Sequence, residues 1–273
     1  VKKLTAKQIA DFRAAVYRHY ERHGRNHLPW RKTRDPYRIL VSEVMLQQTQ
    51  VPRVLVKYGA FIERFPDFES LAAASLGDVL AAWSGLGYNR RALMLKRAAE
   101  KVVSRHGGRL PTRYDELLSL PGVGAATAAE VSAFAYGKAY PFVETNIRAV
   151  FIHHFHRKRA KVADSEIIPF VEQTLDRDDP RRWYYALMDY GVMLKRRHSN
   201  PSRRSAHHAR QGRFEGSSRQ ARGLIVRALA GRRLTERELS RETGLSLARL
   251  RLVAPALRKE GLIAIRRGVW GIA

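Results

Sequence analysis

The chain contains no cysteine. Disulfides, thiolate nucleophiles and any cysteine-ligated metal or iron–sulfur cluster are thereby excluded. Acidic residues are scarce, 25 Asp and Glu against 51 Lys and Arg, for a formal charge of +26 over 273 residues. Long apolar runs are missing too. None approaches the roughly 18 residues that cross a bilayer, and no signal-peptide pattern opens the sequence, so neither a membrane partner nor export is expected. Strand-like alternation does not occur before residue 260, and no internal repeat is evident.

What abounds is positive charge. Lys and Arg that neutralise phosphates release condensed counterions, so an excess of this size points to a polyanion, here nucleic acid. A chain of 273 residues buries a sizeable core and divides most naturally into two domains. The apolar pattern is helical almost throughout. Asp35-Pro36 is a helix start, an N-cap acid before proline at the first helical position, so residues 36–47 are predicted helical. Pro52 opens the next helix. Helical spacing recurs in "DVLAAWSGLG", "RRALMLKRAAEKVVSRHGG", "YDELLSL", "AATAAEVSAFAYG", "NIRAVFIHHF", "SEIIPFVEQTL" and "RRWYYALMDYGVML". Gly85, Gly107-Gly108 and Gly137 are the expected helix ends.

Composition shifts at 195–214, "KRRHSNPSRRSAHHARQGRF", which holds seven Lys or Arg, three His and no acid. It reads as a solvated linker or as a DNA-contacting strap. His198, His207 and His208 among arginines, with no carboxylate, suit phosphates better than zinc. From Ser217 onward the pattern is a helix over 217–230, two helices joined at Gly244, and two short β-like runs broken by Arg266-Arg267-Gly268. This is the layout of a winged helix-turn-helix, which usually lays its last helix in a major groove; a protein-interaction module has the same outline.

Two local features carry chemistry. Glu43 sits inside an apolar helical run (Ile39, Leu40, Val41, Val44, Met45, Leu46) and is followed by Gln47, Gln48, Thr49 and Gln50. A carboxyl in apolar surroundings resists ionisation and can hold a proton near neutrality. In "LPGVGAATAAEV", residues 120–131, one helix ends, Gly122, Val123 and Gly124 turn the chain, and a new helix begins. Such a turn lets main-chain N–H groups and a helix N-terminus face a phosphate without reading sequence.

"LPWR" (28–31), "SEVMLQQTQV" (42–51), "WSGLGY" (83–88), "LPGVG" (120–124) and "VETNIRAV" (143–150) occur in the order and spacing of the helix-hairpin-helix (HhH-GPD) DNA glycosylases. Over residues 25 to about 195 the chain resembles most the MutY-like adenine glycosylases. The resemblance implies an all-α fold: a two-lobed helix-hairpin-helix core (1–194) with its active site in the cleft between lobes. A basic linker (195–216) and the C-terminal winged helix (217–273) follow. It implies that Glu43 protonates the departing adenine, and that Leu46, Gln47, Gln48 and Thr49 enter the base stack around an extruded nucleotide. It gives Glu144 the role of stabilising the sugar cation or accepting a proton from water. Asn146 would cap the following helix and orient that carboxylate. Trp30, Arg31, Tyr88 and Ala126 would form the base pocket, although Trp30 is equally a core aromatic and Arg31 suits a carboxylate or a phosphate. Gly122, Val123, Gly124, Lys195, Arg196, Arg197, Arg203 and Arg204 would grip DNA. A sodium or potassium ion would sit on carbonyls of Leu118, Leu120 and Val123.

The chain departs from the pattern at four places. Glu144 stands where these enzymes carry aspartate, so the charge is kept on a side chain one methylene longer. Ala126 stands where strand-cleaving relatives place lysine, so no Schiff base forms there and base removal without efficient strand cleavage is expected. Lys195 stands at the first cluster cysteine, so no iron–sulfur cluster is expected. The 217–273 segment is unlike the β-rich domain that recognises 8-oxoguanine. The expectation is a monomeric, monofunctional glycosylase acting on double-stranded DNA, cytoplasmic and nucleoid-associated, with adenine favoured. A uracil, thymine or modified-pyrimidine glycosylase of the same fold is the alternative. A catalytically silent lesion-sensing protein, with Glu144 a remnant, is the rival from another class.

Overall fold

The computed structural model describes residues 3–206, 208 and 212–273; His207 lies outside them. In chain order the helices are α1 (Ala6–His23), α2 (Pro36–Leu46), α3 (Val51–Arg64), α4 (Phe68–Ala73), α5 (Leu76–Trp83), α6 (Arg90–His106) and α7 (Tyr114–Leu118). After these come α8 (Ala125–Tyr136), α9 (Thr145–Phe155), α10 (Asp164–Thr174), α11 (Pro180–Arg197), α12 (Ser218–Leu229), α13 (Glu236–Thr243) and α14 (Leu247–Lys259). Short 3-10 turns cover Pro29–Arg31 and Pro201–Arg204. The strands are β1 (Leu234–Thr235), β2 (Ile263–Arg266) and β3 (Val269–Ile272), antiparallel in the order β1-β3-β2.

The local starts follow from the residues. Asp35 caps α2 by accepting from Arg38 N at 2.8 Å. Thr5 and Gln8 close a capping box on α1, and Asp67 and Ser70 do the same on α4, two helices the periodicity reading passed over. Gly107 and Gly137 end α6 and α8 in the left-handed conformation. α5 ends at Trp83, before Gly85, with Ser84 as its C-cap.

The chain forms two compact units. The first comprises Val1–Ile39, Thr112–Leu118 and Val123–Arg210. Its core is aromatic: Phe12 meets Phe151, Phe155 and Trp183 at centroid distances of 5.4, 5.1 and 5.9 Å. α9 and α11 approach closely. A Cβ on Gly191 would come within 2.4 Å of the Asn146 carbonyl oxygen, so only glycine lets α11 lie against the first turn of α9.

His154 on α9 packs edge-on to Phe12 at 5.1 Å and lies 3.2 Å from the Tyr190 hydroxyl. Burial, reinforced by His153 and Arg157, pulls it down to about 4. The folded value lies below the unfolded one, so the unfolded chain binds the proton first. Stability is therefore complete above about pH 6.5 and is lost as pH falls toward 4. His154 alone should remove about 2 kcal/mol between pH 8 and pH 5. Thermal melts at the two pH values check this, and His154→Gln should flatten the difference.

The second unit comprises Leu40–Pro111, Ser119–Gly122 and Gln211–Ala273. α3 to α6 bury Phe61, Leu71, Leu80, Trp83 and Leu95. α12 packs on α5, and the α14–β2 turn at Gly261 meets Leu93 and Arg97 of α6. The winged helix thus belongs to the same unit as the Glu43 end of α2. Its order, α12-β1-α13-α14-β2-β3, adds one strand, Leu234–Thr235, that two residues cannot announce by alternation.

Candidate active site

Glu43 lies on α2 and is 6% exposed, with Val41, Val44 and Met45 around it in sequence also buried. The Ser42 hydroxyl donates to its Oε1 at 3.3 Å. One turn on, the helix stops at Leu46, and Gln48 takes a left-handed conformation with φ of 53°. Tyr88, after Gly85-Leu86-Gly87, does the same at 48° and is 38% exposed. Left-handed backbone costs a non-glycine residue about 1–2 kcal/mol, so both turns need an external hold.

Arg91 supplies it. Its Nη1 donates to the carbonyls of Val44 and Met45 at 2.8 and 2.9 Å and to that of Gln47. Its Nη2 donates to Thr49 Oγ1 at 2.9 Å and to the Leu86 and Gly87 carbonyls at 3.1 Å. One guanidinium therefore closes the C-terminal end of α2, where a cation is favoured, and ties the Gln48 turn to the Tyr88 turn. Burial pulls Arg91 down to about 10, still charged at neutrality. No sequence pattern marked it, because its partners are mostly main-chain carbonyls, up to 47 residues away.

In the first unit, Glu144 is itself the N-cap of α9. Its Oε1 accepts from the main-chain N–H groups of Asn146 and Ile147 at 2.7 and 2.9 Å. The expectation that Asn146 caps this helix is corrected: Glu144, the residue before the first turn, takes the N–H groups, and Asn146 Nδ2 donates to Glu144 Oε2 at 3.2 Å. Oε2 keeps acceptor capacity beyond that bond. Asn146 Oδ1 is buried with no hydrogen-bond partner among the described residues. Lys195, four residues after Gly191, is half-buried; burial pulls its ammonium down, and the Glu144 charge acts the other way.

The "LPWR" segment is a structural anchor. Trp30 is 2% exposed. Arg31 donates from both terminal nitrogens to Asp189 at 2.7 and 2.9 Å and stacks over Tyr185 at 4.4 Å. Arg25 joins the same carboxylate through its main-chain N and Nε at 2.9 and 2.6 Å. Burial opposes ionisation of Asp189, but the arginines outweigh it and hold the carboxyl below its ordinary range. Trp30 and Arg31 are thus corrected from an open pocket surface to the core, where both side chains are buried.

The basic run divides. Arg196, Arg197 and Arg203 are exposed, as a phosphate grip requires. Arg204 is corrected from that set: its guanidinium holds the carbonyls of His156, Arg157 and Arg159 at 2.9, 2.7 and 3.1 Å. Main-chain bonds of Val162 to Arg204 and Ala206 add a second staple. Lys195 turns out to be the last turn of α11 rather than linker. At the hairpin, Gly122 (φ 77°) sits where a Cβ would strike Met94 at 2.6 Å. Gly122 and Gly124 are exposed and Ala126 half-buried. Leu118 is 39% exposed, while Leu120 and Val123 are buried.

Residues 41–167 match the HhH-GPD superfamily base excision DNA repair proteins. The thymine/uracil-DNA glycosylase of Pyrobaculum aerophilum is 35% identical over 185 residues, 66% of this chain and 80% of that protein. The chain belongs to the HhH-GPD superfamily. Within it the chain is MutY-like: the adenine DNA glycosylase of Mycolicibacterium smegmatis is 40% identical over 174 residues, 63% of this chain and 59% of the relative. The match spans about half the length of the curated adenine glycosylases. Among solved structures, a thermostable thymine-DNA glycosylase shares the HhH-GPD fold with TM-score 0.61 and 27% identity, covering 68% of this chain and 87% of that one. The family's cluster loop requires cysteines, and this HhH-GPD chain has none. Nothing in it fits that cofactor.

Proposed function

We propose that this chain is a monofunctional DNA glycosylase that extrudes a mismatched or damaged base from duplex DNA and hydrolyses its N-glycosidic bond, with adenine the favoured base. The observation that carries the reading is Glu43: an acid 6% exposed in an apolar helix, one turn before a strained polar tip pinned by Arg91. Extrusion is required because the bond is unreachable inside a duplex. Glu43 gives its proton to a ring nitrogen of adenine, and the glycosidic electron pair leaves with the base. The sugar cation that remains is stabilised by Glu144, which accepts the proton of the attacking water. Gln48 and Tyr88 stand at the exposed edge, where an extruded nucleotide would need support. Ala126 gives no amine for a Schiff base, which supports hydrolysis without efficient strand cleavage. The protein would act as a monomer in the cytoplasm, at the nucleoid; among the described residues no helix is long and apolar enough to cross a membrane. A sodium or potassium ion on carbonyls of Leu118, Leu120 and Val123 is part of the proposal.

A second reading is favoured by the extent of the match to the thymine/uracil enzyme: a pyrimidine glycosylase in which Glu43 recognises the base instead of protonating it. The test is base release from duplexes carrying A opposite G or 8-oxoguanine, and U or T opposite G, with alkali added afterwards to cut abasic sites. Alkali-dependent cleavage at adenine is expected. Cleavage at pyrimidines alone would overturn the role given to Glu43, and cleavage at adenine without alkali would overturn monofunctionality.

A further inference from the structure

The winged helix carries 13 Arg or Lys against four Glu over residues 217–273, and all four acids are tied away from one face. Glu236 pairs with Arg251, Glu242 with Arg232 and Glu260 with Arg222, while Glu238 accepts from Thr235 N at the start of α13. The N-terminal half of α14, which a helix-turn-helix normally turns toward bases, is also engaged. Arg249 donates to the Gly216 carbonyl at 2.9 Å, and Arg251 makes two bonds to Glu236.

The open face is at the other end. A groove of about 500 Å³ runs between the C-terminal half of α14 and β2, lined by Pro255, Arg258, Lys259, Ile265 and Arg266 among others, with no carboxylate in its lining. Arg258, Lys259, Arg266 and Arg267 are exposed, and none makes an ion pair among the described residues. Leu252, 66% exposed, continues the apolar face of Pro255 one turn earlier on α14.

The tip of the β2–β3 hairpin is the sharper signal. Arg266 pairs with Val269, leaving the two-residue turn Arg267-Gly268 with φ of 49° and 77°. Both values are positive, as in the turn that selects Asn-Gly or Gly-Gly. Arginine is disfavoured there, and fold stability gives no reason for it, so the strain points to a function for a guanidinium at the wing tip.

We infer that the groove between α14 and the β2–β3 wing is a second DNA contact, which grips one phosphate backbone through Arg258, Lys259, Arg266 and Arg267 without reading base sequence. It rests on duplex DNA being the partner of the glycosylase reading. A duplex backbone matches the groove's charge, its lack of acids and its open form. With the winged helix packed on α5 and α6, this contact is fixed relative to the Glu43 end of α2 and would hold the chain on undamaged DNA during search.

The experiment measures full-chain binding to two undamaged 30-base-pair duplexes of unrelated sequence by fluorescence anisotropy, over a salt series. Wild type is compared with Arg258→Ala/Arg266→Ala/Arg267→Ala and with Arg267→Gly. The triple variant should lose about two to three units of the slope of log K against log salt, equally on both sequences. Arg267→Gly should lose about one unit while its melting temperature holds or rises, because glycine removes the turn strain; this separates lost contact from lost fold. Unchanged slopes in both variants would overturn the inference and leave the groove to a protein partner. Loss on one sequence only would also overturn it, by showing base readout. Wild type failing to bind either duplex would instead sink the DNA reading itself.

Discussion

Glu144→Gln should lower base release about a thousandfold and leave DNA binding intact. The substitution keeps size and one acceptor oxygen at the head of α9 but removes the negative charge. Two unit charges about 4 Å apart attract by roughly 4 kcal/mol at an effective dielectric near 20, which is close to three decades in rate. Part of the N-cap is lost as well, for about 1 kcal/mol of stability, so melts must accompany the kinetics. Glu144→Asp restores the residue that MutY-like enzymes carry and keeps a good N-cap. Its rate should stay within about a hundredfold of the parent, the scale of a 1 Å misplacement. Single-turnover base release at saturating protein is the measurement. If the parent and both variants are equally inactive while all bind DNA, the chain is the silent lesion-sensing protein and Glu144 is only a helix cap.

Arg91→Met should cost both stability and activity. Methionine fills much of the volume but leaves the Val44, Met45, Gln47, Leu86 and Gly87 carbonyls without the donor they now share. Hydrogen bonds to a charged group are worth about 1.5–3 kcal/mol each, and they are not additive, so a loss of about 3 kcal/mol or more is expected. The left-handed turns at Gln48 and Tyr88 would relax, and the C-terminal end of α2 would fray toward Glu43. Base release should fall on the order of a hundredfold even at temperatures where the variant is fully folded. Denaturant titration and single-turnover rates on the same preparation separate the two effects. Arg91→Lys provides a check: one ammonium keeps the charge but cannot span both turns, so it should recover some stability and little rate.

Much of the fold was legible because it is written in local terms. Helical periodicity and Asp35-Pro36 located α2, Gly107 and Gly137 ended α6 and α8, and the pattern after Ser217 gave the winged helix to within a residue or two. α1 and α4 are marked in the sequence by the capping pairs Thr5…Gln8 and Asp67…Ser70. The site was legible where an acid interrupts an apolar run, as at Glu43. It was illegible where one residue serves others far along the chain. Nothing near Arg91 says that it closes α2, and nothing in "LPWR" says that Arg31 turns inward to Asp189, 158 residues away. That Glu144 rather than Asn146 caps α9 is visible only once the main-chain N–H groups of the helix are in place.

The Arg204 staple has a consequence for how the protein matures. With no cysteine in the chain, the segment after α11 has no thiolate with which to hold a metal. Here it is closed by a guanidinium and main-chain bonds that form as the chain folds. Its closure rests on folding contacts, and it offers peroxide no thiolate to attack.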